Sequence, residues 1–133
     1  MENCIFCKIV SGEVPAYKVL ESDSILAFLD IYPANKGQVL VIPKRHVTAQ
    51  FSKVDSEVMA GTVSVAQEVA QKIEDSLENV SRCIIAIEGF DVPHFHIKIY
   101  PTYEPDPVKD AFGRWGPRAD DNELKKIQDK ITR

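Results

Sequence analysis

The stretch Val92-Pro93-His94-Phe95-His96-Ile97-Lys98-Ile99-Tyr100 decides how this chain folds and where its chemistry sits. From His94 onward polar and apolar residues alternate, the period-two pattern of a strand whose successive side chains point to opposite faces. The spacing predicts a strand over His94 to Tyr100, with Phe95, Ile97 and Ile99 on a core face. His94, His96 and Lys98 then line the other face at intervals of about 6.7 Å. A solvent-facing strand tolerates a single histidine, but here two of the chain's three histidines stand in alternation beside a cation, which marks a reactive surface.

Working outward, Arg82 to Ile87 reads as a strand, joined to the first by Glu88-Gly89-Phe90-Asp91-Val92-Pro93. The N-terminal half supplies three more, Tyr17 to Leu20, Ile25 to Asp30 and Gln38 to Pro43, with turn residues at Glu21-Ser22-Asp23 and Tyr32-Pro33-Ala34-Asn35-Lys36-Gly37 between them. Leu26, Phe28 and Asp30 share one face, so a carboxylate ends an apolar stripe. Residues 4 to 11 form a short helix stopped by Gly12. The main helix opens at Ser52 with Asp55 three residues on, and carries Val58, Met59, Val63, Ala66, Val69, Ala70 and Ile73 at helical spacing. Four of the eight prolines fall between Pro101 and Pro117, predicting an irregular connection over 102–118. Asp120 then opens a helix over 119–133 with Leu124, Ile127 and Ile131 on one side. Five strands and two or three helices give one α+β domain over residues 1–133, its core in 4–101 and its helices segregated from an antiparallel sheet.

Composition bounds the function. The chain has 133 residues, with 16 Lys and Arg against 20 Asp and Glu, a formal charge of −4. That balance argues against bulk binding to nucleic acid or anionic membranes, which needs clustered cations, and leaves room for a local basic pocket. The N-terminus lacks the basic start and long apolar core of a secretory signal. The longest apolar runs, Val39 to Ile42 and Cys83 to Ile87, are strand-sized, far below the ~20 residues that cross a bilayer. The expectation is a cytoplasmic protein, where three cysteines are free thiols or metal ligands.

Cys4-x-x-Cys7 has three readings: a redox pair, half of a zinc site, or two small residues on one helix face. Cys83, among isoleucines in a strand, reads as a buried inert thiol. Further ligands would have to be histidines, and His46 in Pro43-Lys44-Arg45-His46 follows a strand, where its side chain can be held out of the sheet. Cys4, Cys7 and two histidines would close a tetrahedral Cys2His2 site.

These motifs occur in the order and spacing of a known family. The chain resembles the histidine-triad (HIT) nucleotide-binding proteins in Cys4-Ile5-Phe6-Cys7-Lys8-Ile9-Val10-Ser11-Gly12-Glu13, Phe28-Leu29-Asp30-Ile31, Val41-Ile42-Pro43-Lys44-Arg45-His46 and Val92-Pro93-His94-Phe95-His96. The resemblance covers residues 4 to about 101 and implies a five-stranded antiparallel sheet with one long helix, pairing into a homodimer. It implies that His96 attacks the α-phosphorus of a purine nucleotide conjugate to give a nucleotidyl-histidine, its other ring nitrogen donating to the backbone carbonyl of His94. It makes Asp30 the acceptor for the ribose hydroxyls, and Phe6, Ile9, Phe28 and Ile31 the slot for the base. In zinc-bearing members the ligands correspond to Cys4, Cys7, His46 and His94, a structural site. Nucleoside phosphoramidates are the first substrate choice. Alternatives are a dinucleoside polyphosphate hydrolase and a non-enzymatic purine-nucleotide binding regulator, with a redox protein built on Cys4 and Cys7 the most distant.

The chain departs from the family at two places. The third triad position is Lys98, which can offset phosphate charge but is a poor proton shuttle and suggests reduced turnover or transfer. The loop before the strand is Gly89-Phe90-Asp91 where many members carry Gly-Gln-Ser. Gly89 can still let backbone approach a phosphate, whereas Asp91 would repel one unless it meets a cation or points away. Trp115 lies in the Pro-rich connection; in one branch of the family a C-terminal Trp reaches the partner's site, a role not assigned to Trp115.

Overall fold

The computed structural model describes residues 3–110 and 113–133. In chain order its elements are α1 (Ile5–Val10), β1 (Lys18–Glu21), β2 (Ile25–Leu29), β3 (Val39–Pro43), α2 (Ser56–Ser76), β4 (Val80–Ala86), β5 (Ile97–Tyr103) and α3 (Asp121–Thr132), with 3-10 turns at Phe51–Lys53 and Pro107–Asp110. The strands form one five-stranded antiparallel sheet in the order β1-β2-β3-β5-β4.

Both faces of the central strands are covered, which is why β2 and β3 are buried at every residue. One face packs Ala27, Leu29, Val39, Val41, Ile97 and Ile99 against Ala66, Val69 and Ile73 of α2 and Leu124, Ile127 and Ile131 of α3. Each such large apolar side chain contributes roughly 1.5–3 kcal/mol on burial, so this layer anchors both helices. The opposite face packs Leu26, Phe28, Leu40 and Ile42 against Phe6 and Ile9 of α1. This second, thinner layer leaves room for a cavity beside α1.

α1 is short, and local chemistry fixes its ends. At its N-terminus the Cys4 Sγ accepts the Cys7 backbone N–H at 3.4 Å, and just past its end Gly12 takes φ +84°. α3 opens on Asp120, whose carboxylate accepts the Asn122 N–H at 3.3 Å. Among the described residues no helix is long and apolar enough to cross a membrane.

Several boundaries differ from the sequence reading. β5 begins at Ile97, three residues after His94, because the lead-in bonds elsewhere: the His94 N–H donates to the Val92 carbonyl and the Phe95 N–H to Val47, each at 2.9 Å. The alternation survives outside the strand, with Phe95 fully buried among the α2-side residues. α2 starts at Ser56 rather than Ser52, since 51–53 form a separate turn and Asp55, at the N-cap, makes no side-chain cap bond. Of the stretch 102–118, residues 111 and 112 lie outside the described residues, and the rest is more ordered than its prolines suggest. β5 runs on to Tyr103, and the Gly116 and Ala119 N–H groups donate to the carbonyls of Tyr32 at 3.0 Å and Ile31 at 2.8 Å. The chain thereby crosses back over the end of β2.

Candidate functional site

Three separate parts of the chain bring their sulfur and nitrogen atoms to one point. Cys4 and Cys7 come from the start of α1, His46 from just beyond β3, and His94 from the lead-in to β5. Cys4 Sγ lies 3.4 Å from His94 Nδ1, and Cys7 Sγ lies 3.3 Å from His46 Nδ1 and 3.5 Å from His94 Nδ1. All four atoms lie within 4.8 Å of one another. Two soft sulfur and two imidazole donors converging so closely fit a tetrahedral ion with bonds of about 2.0–2.3 Å, and four protein ligands leave no open position. His94 is suited to ligation: its Nε2–H donates to the Pro43 carbonyl at 2.8 Å, which leaves Nδ1 free for a metal. Burial holds its imidazole below the usual histidine range and so in the neutral form.

The backbone of His94 governs the next histidine. His96 Nδ1–H donates to the His94 carbonyl at 2.8 Å, so the lone pair sits on Nε2. The His96 ring is buried, with Phe6 edge-on at 5.2 Å between centroids. Burial lowers its basicity too, favouring the neutral, nucleophilic form. Beside it opens a cavity of about 410 Å³ whose walls include Phe6, Ile9, Phe28, Ile31, Asp30 and His96. Asp30 Oδ1 accepts the Tyr32 N–H and Oδ2 accepts the Gln38 Nε2–H, each at 2.8 Å. Each carboxylate oxygen retains a lone pair. Burial pushes the Asp30 carboxyl above its ordinary range.

Beside His96 the charges are paired. The Lys98 ammonium, nearly buried, lies 3.5 Å from both Glu88 Oε1 and Asp91 Oδ2. Arg114 approaches the same two carboxylates at 2.9 Å each, through Nε to Glu88 and Nη2 to Asp91. Two cations and two anions thus close a ring, and Glu88 Oε1 stands 4.0 Å from His96 Nε2. Asp91, with Lys98 and Trp115, also lines the cavity. Its charge, which alone would repel a phosphate, meets two cations.

Glu88, Arg114, Gln38 and the cavity-lining Trp115 carry no role in the sequence reading. Glu88 offers a faint signal, as a second acid flanking Gly89; Arg114 and Gln38 offer none, since their partners lie far along the chain or depend on the exact turn at 33–35. Gly89 is placed differently from expectation. It is absent from the cavity wall, and the close approach it permits, at φ +72°, is to the Ala49 carbonyl, with which a Cβ would overlap. Cys83 is only partly buried, yet burial still pushes its thiol up to about 12.

The chain is similar to known proteins over most of its length. The family described as HIT domain matches residues 11–105. An adenosine 5′-monophosphoramidase of Schizosaccharomyces pombe is 40% identical over 104 residues, which are 77% of each chain. A crystal structure of a hypothetical histidine triad nucleotide-binding protein from Sulfolobus tokodaii superposes with a TM-score of 0.84 at 27% identity, covering 97% of this chain and 89% of that one. A zinc-bound histidine triad family protein from Mycobacterium smegmatis superposes at 0.81 with 28% identity, covering 98% and 91%.

The Gly89 contact has a measurable consequence. Gly89→Ala combines the overlap with Ala49 and a strained positive φ, and is expected to lower stability by about 1–3 kcal/mol in thermal or urea unfolding. Gly61→Ala, in α2 where a Cβ meets nothing within 4 Å, is expected to leave stability equal or higher.

Proposed function

The chain belongs to the HIT domain family, and from that premise we propose that it is a nucleotide hydrolase whose His96 Nε2 attacks the α-phosphorus of a purine nucleotide conjugate, a nucleoside phosphoramidate first. The observation that carries this reading is the His96 Nδ1–H bond to the His94 carbonyl, which leaves the nucleophilic lone pair on Nε2 beside an apolar cavity that the Asp30 carboxylate also lines. The similarity to the S. pombe phosphoramidase supports the same chemistry.

In the proposed mechanism the base lies among Phe6, Ile9, Phe28 and Ile31, and Asp30 accepts the two ribose hydroxyls on its remaining lone pairs. His96 Nε2 forms the P–N bond as the bond from phosphorus to the leaving amine breaks, and the amine departs with a proton from solvent. Water then attacks phosphorus and releases a proton to solvent, the P–N bond breaks, and nucleoside monophosphate and free neutral His96 result. Lys98 offsets charge on the phosphoryl oxygens. Glu88 and Asp91 hold the Lys98 ammonium near His96, so an arriving phosphoryl group competes with them for its charge. The Cys4, Cys7, His46 and His94 cluster suits zinc, which when bound would hold the lead-in that presents His96. A homodimer finds support in β4, an edge strand of the sheet with Ile85 exposed.

Two measurements test this reading. With a fluorogenic adenosine phosphoramidate and diadenosine polyphosphates side by side, wild-type protein should turn over the phosphoramidate fastest, and His96→Ala should lose on the order of 10³-fold or more. Equal turnover by wild type and variant, with tight AMP binding, would instead make the chain a binding module. Elemental analysis of protein purified without chelator should find one zinc per chain, absent from the Cys4→Ser/Cys7→Ser double variant; zinc-free wild type overturns the metal assignment.

A further inference from the structure

Gln38 is fully buried, and a buried amide must have its donors and acceptors accounted for. Its Oε1 accepts the Ala34 N–H at 2.8 Å and the Asn35 N–H at 3.3 Å. Its Nε2 donates to Asp30 Oδ2 at 2.8 Å and more weakly to the Arg114 carbonyl at 3.5 Å. The two backbone donors determine which way the amide faces, because a reversed amide would aim its own N–H groups at theirs. The NH2 group is therefore committed to Asp30.

The surroundings keep Gln38 from swinging. Its backbone N–H donates to the Asn35 carbonyl at 3.1 Å, its carbonyl accepts the Asp30 N–H at 2.9 Å, and the Asn35 side chain is tied to the Pro101 carbonyl at 2.8 Å. Asp30 is thus held at both oxygens, by the Tyr32 N–H on one and by Gln38 on the other. With one anchor a carboxylate can rotate about its last side-chain bond, and two vicinal hydroxyls would no longer find both lone pairs in place. An amide has a further advantage here: it supports the carboxylate's charge without bringing a competing cation.

We propose that Gln38 is a positioning residue that aims the Asp30 carboxylate at the 2′- and 3′-hydroxyls and so sets a preference for ribonucleotides over dideoxynucleotides. The proposal rests on Asp30 being the ribose acceptor, the reading given above. Gln38 acts through Asp30 and touches neither the phosphate nor His96.

The test compares an adenosine phosphoramidate with its 2′,3′-dideoxy counterpart by kcat/KM. Wild type should prefer the ribose substrate by about 100-fold or more, since each of two hydrogen bonds to a charged group is worth roughly tenfold or more. Gln38→Met removes the donor at similar length, and Gln38→Glu keeps the acceptor for Ala34 and Asn35 while setting a carboxylate against Asp30. In whichever of these folds, the preference should fall to about threefold or less, with the loss in KM for the ribose substrate. A merely structural role would weaken both substrates alike and leave the preference intact, which overturns the proposal. A wild type with no preference overturns the Asp30 reading and this inference with it, whereas a preference that persists in the variants overturns this inference alone.

Discussion

The hydrogen bond from His96 Nδ1–H to the carbonyl of His94, 2.8 Å long and buried, is the constraint on which the site depends. It settles which nitrogen of His96 carries the lone pair, and it does so through backbone, which cannot rotate away. His94 is itself held twice, by its Nε2–H bond to the Pro43 carbonyl and by the convergence of its Nδ1 with Cys4 and Cys7. One residue therefore joins the α1 end, the β3 end and the lead-in to β5. The proposed metal would strengthen a junction that side-chain geometry already forms.

A chain of net charge −4 must collect positive charge locally if it is to hold a phosphate. It does so with Lys98 and Arg114, but pairs both with Glu88 and Asp91. Burying Lys98 alone would carry a large desolvation cost, and the two carboxylates offset it. The result is a neutral ring beside His96 in which an arriving phosphoryl group would compete with carboxylates for the same cations. Binding energy at the nucleoside end, from the apolar slot and Asp30, would then draw the phosphate into that competition.

Much of this was legible in the chain itself. Alternation from His94 to Ile99 predicted correctly which residues face the core, because a two-residue period persists in any extended backbone, ladder or not. The strand's start at Ile97 was not legible, because it depends on the Val47 carbonyl taking the Phe95 N–H, a contact across nearly fifty residues. Asp30 at the end of an apolar stripe stood out, and it does border the cavity. Gln38, its partner, reads in the sequence as an ordinary polar residue opening a strand. Convergence of Cys4, Cys7, His46 and His94 came from family resemblance; local spacing alone left Cys4-x-x-Cys7 with three meanings. Glu88 and Arg114 were invisible because ion pairs between loops leave no periodic trace.

The proposed role of His96 commits the reaction to a covalent intermediate, and that species can be sought directly. Protein mixed with an adenosine phosphoramidate and quenched within the first turnovers, then digested and analysed by mass spectrometry, should carry one added nucleoside monophosphate on the peptide containing His96, localised to that side chain. Turnover proceeding normally with no such adduct, or with the adduct on another residue, would contradict the account.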